Sequence, residues 1–545
     1  MSNVPSPQQV AYREALLTTT SSVQLEAVAG SGKTTTLVGN LDALKGDTAL
    51  IAFNKKIADE LASRVSRLSA MVQLATKAGT AHSFGFGVYK ENVGGKCRVD
   101  GGKVNFILKD LLSGHDWDEP IVRSKSIIKK LVGLAKNHGF GITGQKDCNG
   151  EQARYPMIED SYAWEELIYD FGLEPELGAI WTERLERGMS EVIQRAQTAL
   201  KMSNNQRFLI DFDDMIYLPL LLSFTPKRKF HNVLVDEAQD LNKTRQELCF
   251  LLLHEGGRLI SVGDPAQAIY GFTGADVKSL ETLAKRTRAI QLPLSVCWRC
   301  DGAIVREAQK QVPHITSAPN KADAGIVREL PYGDDFYEEL KAGDALLCRL
   351  NKPNVQIAIE LLRRGKTPRI EGRDLGQQLM RHARLAAPDG PDLEELRIAI
   401  EDYKTHQIMV LSQREKHSQA SMLEDECDAV QVLIDRCLET GKHKLMDLEA
   451  LCNELFIDEG NKLNVILLCS IHKAKGLEWP RVYILGRFDY MPFWRAEMDW
   501  EKVQEQNLIY VAVTRAEHEL VYVTDVASAL DKQKAVRNSF TASDK

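Results

Sequence analysis

Short runs of aliphatic and β-branched residues recur along the chain, each stopping at a loop and giving way to helical spacing. Val23–Val28 (VQLEAV) runs into Gly30-Ser31-Gly32-Lys33. Ala49–Phe53 (ALIAF) precedes apolar residues at Ile57, Leu61, Val65 and Leu68, which share one face of a helix. Asn232–Val235 (NVLV) precedes Asp236-Glu237, and Arg258–Val262 (RLISV) precedes Gly263-Asp264. A second set follows: ALLCRL around Leu347, Val465–Ser470 (VILLCS), Arg481–Leu485 (RVYIL) and Glu519–Val523 (ELVYV). Strands alternating with helices predict parallel sheets. Two such sets predict two α/β domains.

The stretches between the strands of each set are helical in pattern. The expected organisation is a first α/β domain over 1–88 and 206–290 with a helical insert over 89–205. A second α/β domain covers 291–372 and 459–530, with a shorter insert over 373–458 and a polar tail over 531–545. The segment Arg123–Asn137 (RSKSIIKKLVGLAKN) has an apolar side of Ile127, Ile128, Leu131 and Leu134, which leaves Lys125, Lys129 and Lys136 for solvent or for phosphates. Leu362–Lys366 (LRRGK) reads equally as a phosphate track or a solvated charged face.

Composition narrows the picture only a little. The 545 residues are 44% hydrophobic and 27% charged, the profile of a soluble globular protein of several domains. A formal net charge of −7 argues against global adhesion to nucleic acid but leaves room for a local basic track. The start, MSNVPSPQQV, has no apolar run for a signal peptide, and IYLPLLLSF (Ile216–Phe224) is too short to span a bilayer. Ten scattered cysteines form no secreted-type framework, so the expectation is a reduced, cytoplasmic protein with free thiols and no membrane partner. Cys297-Trp298-Arg299-Cys300 is the one C-x-x-C, and a zinc site needs a second ligand pair that the chain lacks. Two incidental buried cysteines are the favoured reading.

The chemistry begins at Ala27–Thr34 (AVAGSGKT), which follows a strand and opens a helix, as a P-loop requires. Gly30 and Gly32 let backbone N–H groups close round phosphate oxygens. Lys33 brings positive charge to the β/γ-phosphates, and Thr34 offers a hydroxyl to Mg²⁺. The strict pattern has Gly where this chain has Ala27. About two hundred residues later Val233–Asp240 (VLVDEAQD) ends a strand in two carboxylates. Asp236 is placed to hold Mg²⁺, and Glu237 to orient or deprotonate a water, which favours hydrolysis over phosphoryl transfer to a second substrate. A D-E pair alone is a weak signal at a strand end; paired with the P-loop it is a strong one, and it fits a hydrolase better than a P-loop kinase.

Together, AGSGKT, DEAQD and VGDPAQAIYGFTGAD resemble the UvrD/Rep-like branch of superfamily 1 helicases. The resemblance covers most of the chain outside the two inserts and implies two RecA-like parallel-sheet motor domains. It places Gln9 at the adenine edge and counts Ala29, Ser31 and Thr35 in the ATP site. AFNKK and GTAHSF match two motifs that meet single-stranded DNA, which implicates Phe53, Asn54, His82 and Phe84. DFDDMI (Asp211–Ile216) matches the short motif before the DEAQD strand. Gln267 matches a link between the γ-phosphate and the DNA side, and Tyr270 and Phe272 match base-stacking aromatics. CWRC falls where the family has an aromatic-arginine pair, so Trp298 is implied to stack on adenine and Arg299 to be an arginine finger. SIHKAKGLEW implies DNA or cleft contacts for His472 and Lys475 and a sugar contact for Glu478. NLIYVAVTRAEH implies a second γ-phosphate arginine, Arg515, supported by Tyr510.

The resemblance therefore implies an ATP- and Mg²⁺-dependent motor completed by groups from both domains, moving 3′→5′ on single-stranded DNA and acting at single/double-strand junctions. The partners implied are repair, recombination or replication proteins of a bacterial or phage-infected cell. Phe272-Thr273 stands where the family usually has Trp-Arg, which weakens stacking and removes a positive contact. The second insert is short for the family, and no appended nuclease or partner-binding domain is expected after the last motif. Two other readings stay open: a DNA-stimulated ATPase that remodels protein–DNA complexes with little unwinding, and a binding module with a degenerate nucleotide site.

Overall fold

The computed structural model describes residues 5–94, 96–116, 119–181, 185–271, 274, 276, 278–387, 392–412, 417–458, 464–493, 496 and 498–530. The tail expected over 531–545 lies outside these residues. The chain divides into two compact units, 1–296 and 297–545.

The first unit contains β1 (Val23–Ala27), β2 (Thr48–Ala52), β3 (Thr76–Thr80), a short pair β4 (Arg98–Val99) and β5 (Leu209–Ile210), then β6 (Phe230–Val235), β7 (Leu253–Gly263) and β8 (Ile290–Leu294). Six of these form one sheet in the order β3-β2-β6-β7-β1-β8, with every pairing parallel. Such a sheet is covered on both faces, so its inner strands are rich in buried aliphatic residues; β2 is buried at all five positions. Alternate residues of β6 enter different cores. Leu234 packs with Leu25, Leu37, Leu50, Leu61 and Ile260. Val233 and Val235 pack toward a larger cluster that includes Ile128, Leu131, Trp164 and Ile193 of the insert. The expected boundary at 290 needs correction. Strand β8 pairs with β1 from Val23↔Ile290 to Ala27↔Leu294, so 291–296 belong to the first unit.

The insert is helical, with helices Lys103–Leu111, Pro120–Arg123, Lys125–Asn137, Ser161–Asp170, Glu174–Ile180 and Leu185–Asn205. Two buried polar clusters fasten it. Lys103 Nζ donates to Asp214 Oδ2 at 2.6 Å, while Lys136 Nζ lies 2.6 Å from Asp211 Oδ2 and 2.7 Å from Asp214 Oδ1. Lys136, expected toward solvent, is buried. Its apolar neighbours carry it inward, and the DFDD turn supplies the carboxylates that make burial tolerable. In the second cluster Glu247 accepts from Tyr155 Oη at 2.7 Å and from Arg286 Nη1 at 2.5 Å.

At the start of the second unit β9 (Val296–Cys297) and β10 (Thr316–Ser317) form a short ladder. The unit holds β11 (Ile326–Pro331), β12 (Ala345–Cys348), β13 (Pro368–Glu371), β14 (Phe456–Ile457), β15 (Ile466–Ser470), β16 (Trp479–Leu485) and β17 (Ala516–Thr524). These make a seven-stranded parallel sheet in the order β11-β17-β16-β12-β15-β13-β14. Its insert comprises helices Arg373–Ala386, Leu393–Ser412, His417–Glu439 and Leu445–Leu455. The insert ends earlier than the expected 458, because Phe456 and Ile457 pair with Ile370 and Glu371 as an edge strand of the main sheet. The basic LRRGK segment is consumed internally. Arg363 Nε donates to Glu439 at 2.9 Å, Arg364 Nη2 to Asp334 at 2.6 Å, and Lys366 Nζ to the carbonyls of Tyr337 and Leu340, each at 2.5 Å.

Candidate functional site

In a parallel sheet every strand delivers its following loop to the same edge, and neighbouring strands β6, β7 and β1 therefore bring three loops together. After β1 the chain turns through Gly30 (φ 66°) and Gly32 (φ 80°), left-handed conformations that favour glycine, before helix Lys33–Gly39. Ala29 and Ser31 are buried in this turn. Thr34 Oγ1 donates to Asp236 Oδ2 at 2.9 Å. Lys33 Nζ lies 3.4 Å from Glu237 Oε1, yet among the described residues it is a buried nitrogen without a hydrogen-bond acceptor.

The loop after β6 is unusual at Glu237, a non-glycine residue in the left-handed region (φ 53°, ψ 45°). Such a conformation costs on the order of 1–3 kcal/mol and persists only where its surroundings enforce it. Here Gln239 Nε2 donates to Glu237 Oε2 at 2.5 Å, and Gln239 Oε1 accepts the Asp264 N–H at 3.0 Å. One amide therefore ties the ends of β6 and β7 together. Gly263 permits this approach, since a Cβ there would stand 2.6 Å from Gln239 Oε1. Gln267 Nε2 donates to Asp264 Oδ2 at 2.6 Å. Gln239 and Asp264 were not singled out by sequence reasoning, although both stand inside its two acidic motifs. Their roles appear only when the strand ends are seen side by side.

Burial pulls the Lys33 pKa down, but Glu237, Asp264 and Asp236 outweigh it, so the ammonium stays charged. Burial and then Glu237 push Asp236 up to about 6, and burial raises Asp264 as well. Three acidic groups against one ammonium leave surplus negative charge that a divalent cation would neutralise. A hard oxygen pair such as the Thr34 hydroxyl and Asp236 carboxylate suits Mg²⁺, which takes one or two protein oxygens and completes its shell with water and phosphates. The orphaned Lys33 Nζ suits a phosphate. Gln9 stands over the turn, its Nε2 donating to Thr36 Oγ1 at 2.9 Å and its Oε1 accepting the Ser6 N–H at 2.9 Å. Thr35 is exposed, with its hydroxyl accepting from Arg64 at 3.1 Å.

The residues expected on DNA divide. Phe53, at the end of β2, stacks on Tyr270 with centroids 5.3 Å apart and planes 11° apart, and both rings are half-buried. Asn54 is exposed and caps the next helix, its Oδ1 accepting the Ile57 N–H at 2.9 Å. Desolvation, with a smaller effect of Arg245, holds the half-buried His82 near a pKa of about 4. Phe84 departs from expectation: it is buried in the core against Phe230, edge to face at 5.9 Å, so no base can reach its ring in this structure. It lies two positions along the helix from His82, on the face turned toward the sheet. Phe272 lies outside the described residues.

Within the second unit, Arg299, Glu478 and Arg515 gather beside the starts of β16 and β17. Arg299 Nε pairs with Glu478, whose side chain is half exposed. Arg515 is buried and donates to the carbonyls of Val511 and Leu477, each at 3.0 Å. The expected phosphate arginine and sugar-binding glutamate thus hold each other here. Trp298 is half-buried. Cys297 and Cys300 are buried free thiols, with the Cys300 N–H donating to Cys297 Sγ at 3.4 Å. His472 is held near a pKa of about 3 by burial, then by Arg349 and Lys475.

Residues 8–288 match the model of the UvrD/REP helicase N-terminal domain, and residues 392–525 match that of the UvrD-like helicase C-terminal domain. The ATP-dependent DNA helicase PcrA of Staphylococcus epidermidis is 22% identical, over 95% of this chain and 83% of that protein. PcrA of Staphylococcus aureus is also 22% identical over the same shares. A solved complex of an arterivirus nonstructural protein 10 helicase with DNA aligns with 96% of this chain and 64% of that one, at 11% identity and a TM-score of 0.33, too slight a likeness to bear weight.

Proposed function

Since this chain belongs to the UvrD/REP helicase family and is an ATP-dependent DNA helicase, we propose that it moves 3′→5′ along single-stranded DNA and opens the duplex ahead of it. The observation that carries this reading is the cluster of Lys33, Thr34, Asp236 and Glu237 at one edge of the first sheet. Lys33 binds the β/γ-phosphates, and Glu237, fixed by its turn and by Gln239, orients the attacking water and takes its proton. Thr34 and Asp236 hold Mg²⁺, which supplies charge neutralisation on the phosphate oxygens. Gln9 and Trp298 bind the base, with Ala29, Gly30, Ser31, Gly32 and Thr35 shaping the phosphate cradle and Glu478 taking the sugar. Gln267 couples the phosphate end to the track. Arg299 and Arg515 carry the positive charge for the transition state, a contribution of ~10³–10⁵ in related phosphoryl-transfer sites. The track comprises Phe53, Asn54, His82, Tyr270, Phe272 and His472. Stacking on bases is indifferent to sequence because every base has a π face. The setting we infer is DNA repair, recombination or replication in the cytoplasm of a bacterial or phage-infected cell.

Strand displacement on 3′-tailed, 5′-tailed and blunt duplexes tests this directly. The 3′-tailed duplex should open with ATP and not with a non-hydrolysable analogue. Preferential opening of the 5′-tailed duplex would overturn the polarity. DNA-stimulated hydrolysis without displacement of any strand would favour a remodelling ATPase instead.

A further inference from the structure

Arg245 belongs to no motif named above, yet it sits against the aromatic pair of the proposed track. It lies in the first turn of helix Lys243–Leu252, where Asn242 Oδ1 accepts its backbone N–H at 2.9 Å and fixes the start of the helix. Its guanidinium carbon is 5.4 Å from the centroid of Phe53, the ring that stacks on Tyr270. Arg245 is half-buried and, among the described residues, has no carboxylate within ion-pair distance. Asp213 and Asp240 act on it only at longer range, and the nearby His82 is held neutral. A largely desolvated guanidinium without an anionic partner is costly in the free protein. It is well matched to a phosphate, which it can grip with parallel N–H donors.

We propose that Arg245 is a phosphate-binding residue of the single-strand track, gripping one phosphodiester of a strand whose base stacks on the Phe53–Tyr270 pair. The inference rests on the translocase reading above. One side of the guanidinium lies on Phe53, as cation–π contact favours, while its donors stay available to the backbone of the strand. In this way a single helix residue joins sequence-independent stacking to sequence-independent charge.

The test is binding of a fluorescein-labelled oligothymidylate to the nucleotide-free full chain across a salt series. Each phosphate neutralised on a single strand contributes about 0.7 to the slope of log K against log salt. Arg245→Met should therefore bind more weakly and flatten the slope by about 0.7. Arg245→Lys should keep the wild-type slope, while Phe53→Leu should weaken binding with the slope unchanged. Arg245→Gln repeats the loss of charge with a polar side chain, in case methionine costs folding. A wild-type slope in both neutral variants would overturn the assignment and leave Arg245 a mere brace for Phe53. A wild-type protein with no salt-dependent binding would sink the translocase reading along with it.

Discussion

Glu237 occupies a backbone conformation that most side chains avoid, and three contacts, to Lys33, Asp236 and Gln239, converge on it and keep its carboxylate beside Lys33 and Asp236. Glu237→Gln should lower ATP turnover by at least ~10²-fold, the scale of a positioned general base. Lys33→Ala should do the same, and both variants should retain single-strand binding when measured by anisotropy. Asp236 makes a separate prediction. Its folded pKa of about 6 lies above its ordinary 3.8, so the native state holds that proton more tightly than the unfolded chain does. The associated stability is complete below about pH 4 and is lost as pH rises through 6. Asp236→Asn should therefore stabilise the nucleotide-free protein at pH 7.5 by on the order of 2–3 kcal/mol, seen as a higher melting temperature, and the gain should shrink toward pH 5. A gain that is constant with pH would show that crowding of the ionised carboxylate is not the cause.

At the scale of elements, the strands of the first unit that could be read from sequence were those that end in chemistry: β1, β2, β6 and β7 each run from aliphatic residues into a polar loop, whereas β12, β15, β16 and β17 of the second unit were legible from their aliphatic runs alone. Edge strands were missed because their residues carry no such signal. Thr76–Thr80 (TKAGT) is only half-buried, and Ile290–Leu294 contains a proline that demotes any strand reading. The cluster of Lys33, Thr34, Asp236 and Glu237 was largely legible because each contributor lies inside a local motif. Phe84 and Lys136 were misread because their fates depend on residues far away in sequence, Phe230 for one and Asp211 and Asp214 for the other. The Lys136 network binds the insert to the DFDD turn with three buried ionised groups, and removing one member leaves uncompensated charge. Lys136→Met should cost roughly 3–5 kcal/mol, seen as a lower midpoint in denaturant. A silent substitution would mean that Lys103 alone neutralises the pair of aspartates.

For the whole molecule, the decisive question is whether guanidinium groups of the second unit serve phosphate chemistry. In this structure Arg299 is held by Glu478, and Arg515 by main-chain carbonyls. Arg299→Ala should reduce the single-strand-stimulated ATPase rate by ~10³-fold or more if the residue acts as an arginine finger. The nucleotide affinity of the same variant, read by fluorescence, should change far less. An unchanged stimulated rate would assign Arg299 to holding Glu478 and nothing else.

The position of β1 has a consequence for how the protein is made. The strand that feeds the phosphate loop bonds only to β7 and β8, whose residues are synthesised more than two hundred positions later. At about 5–20 residues per second, the emerging chain carries that strand unpaired for roughly 12–55 s. Such a long-range closure is slow and leaves apolar edges open to other nascent chains. The helical insert, whose helices all emerge before β7, can condense meanwhile and shorten the search. Sequestration of the nascent chain by holding chaperones during that interval would favour yield more than any added stability of the finished sheet.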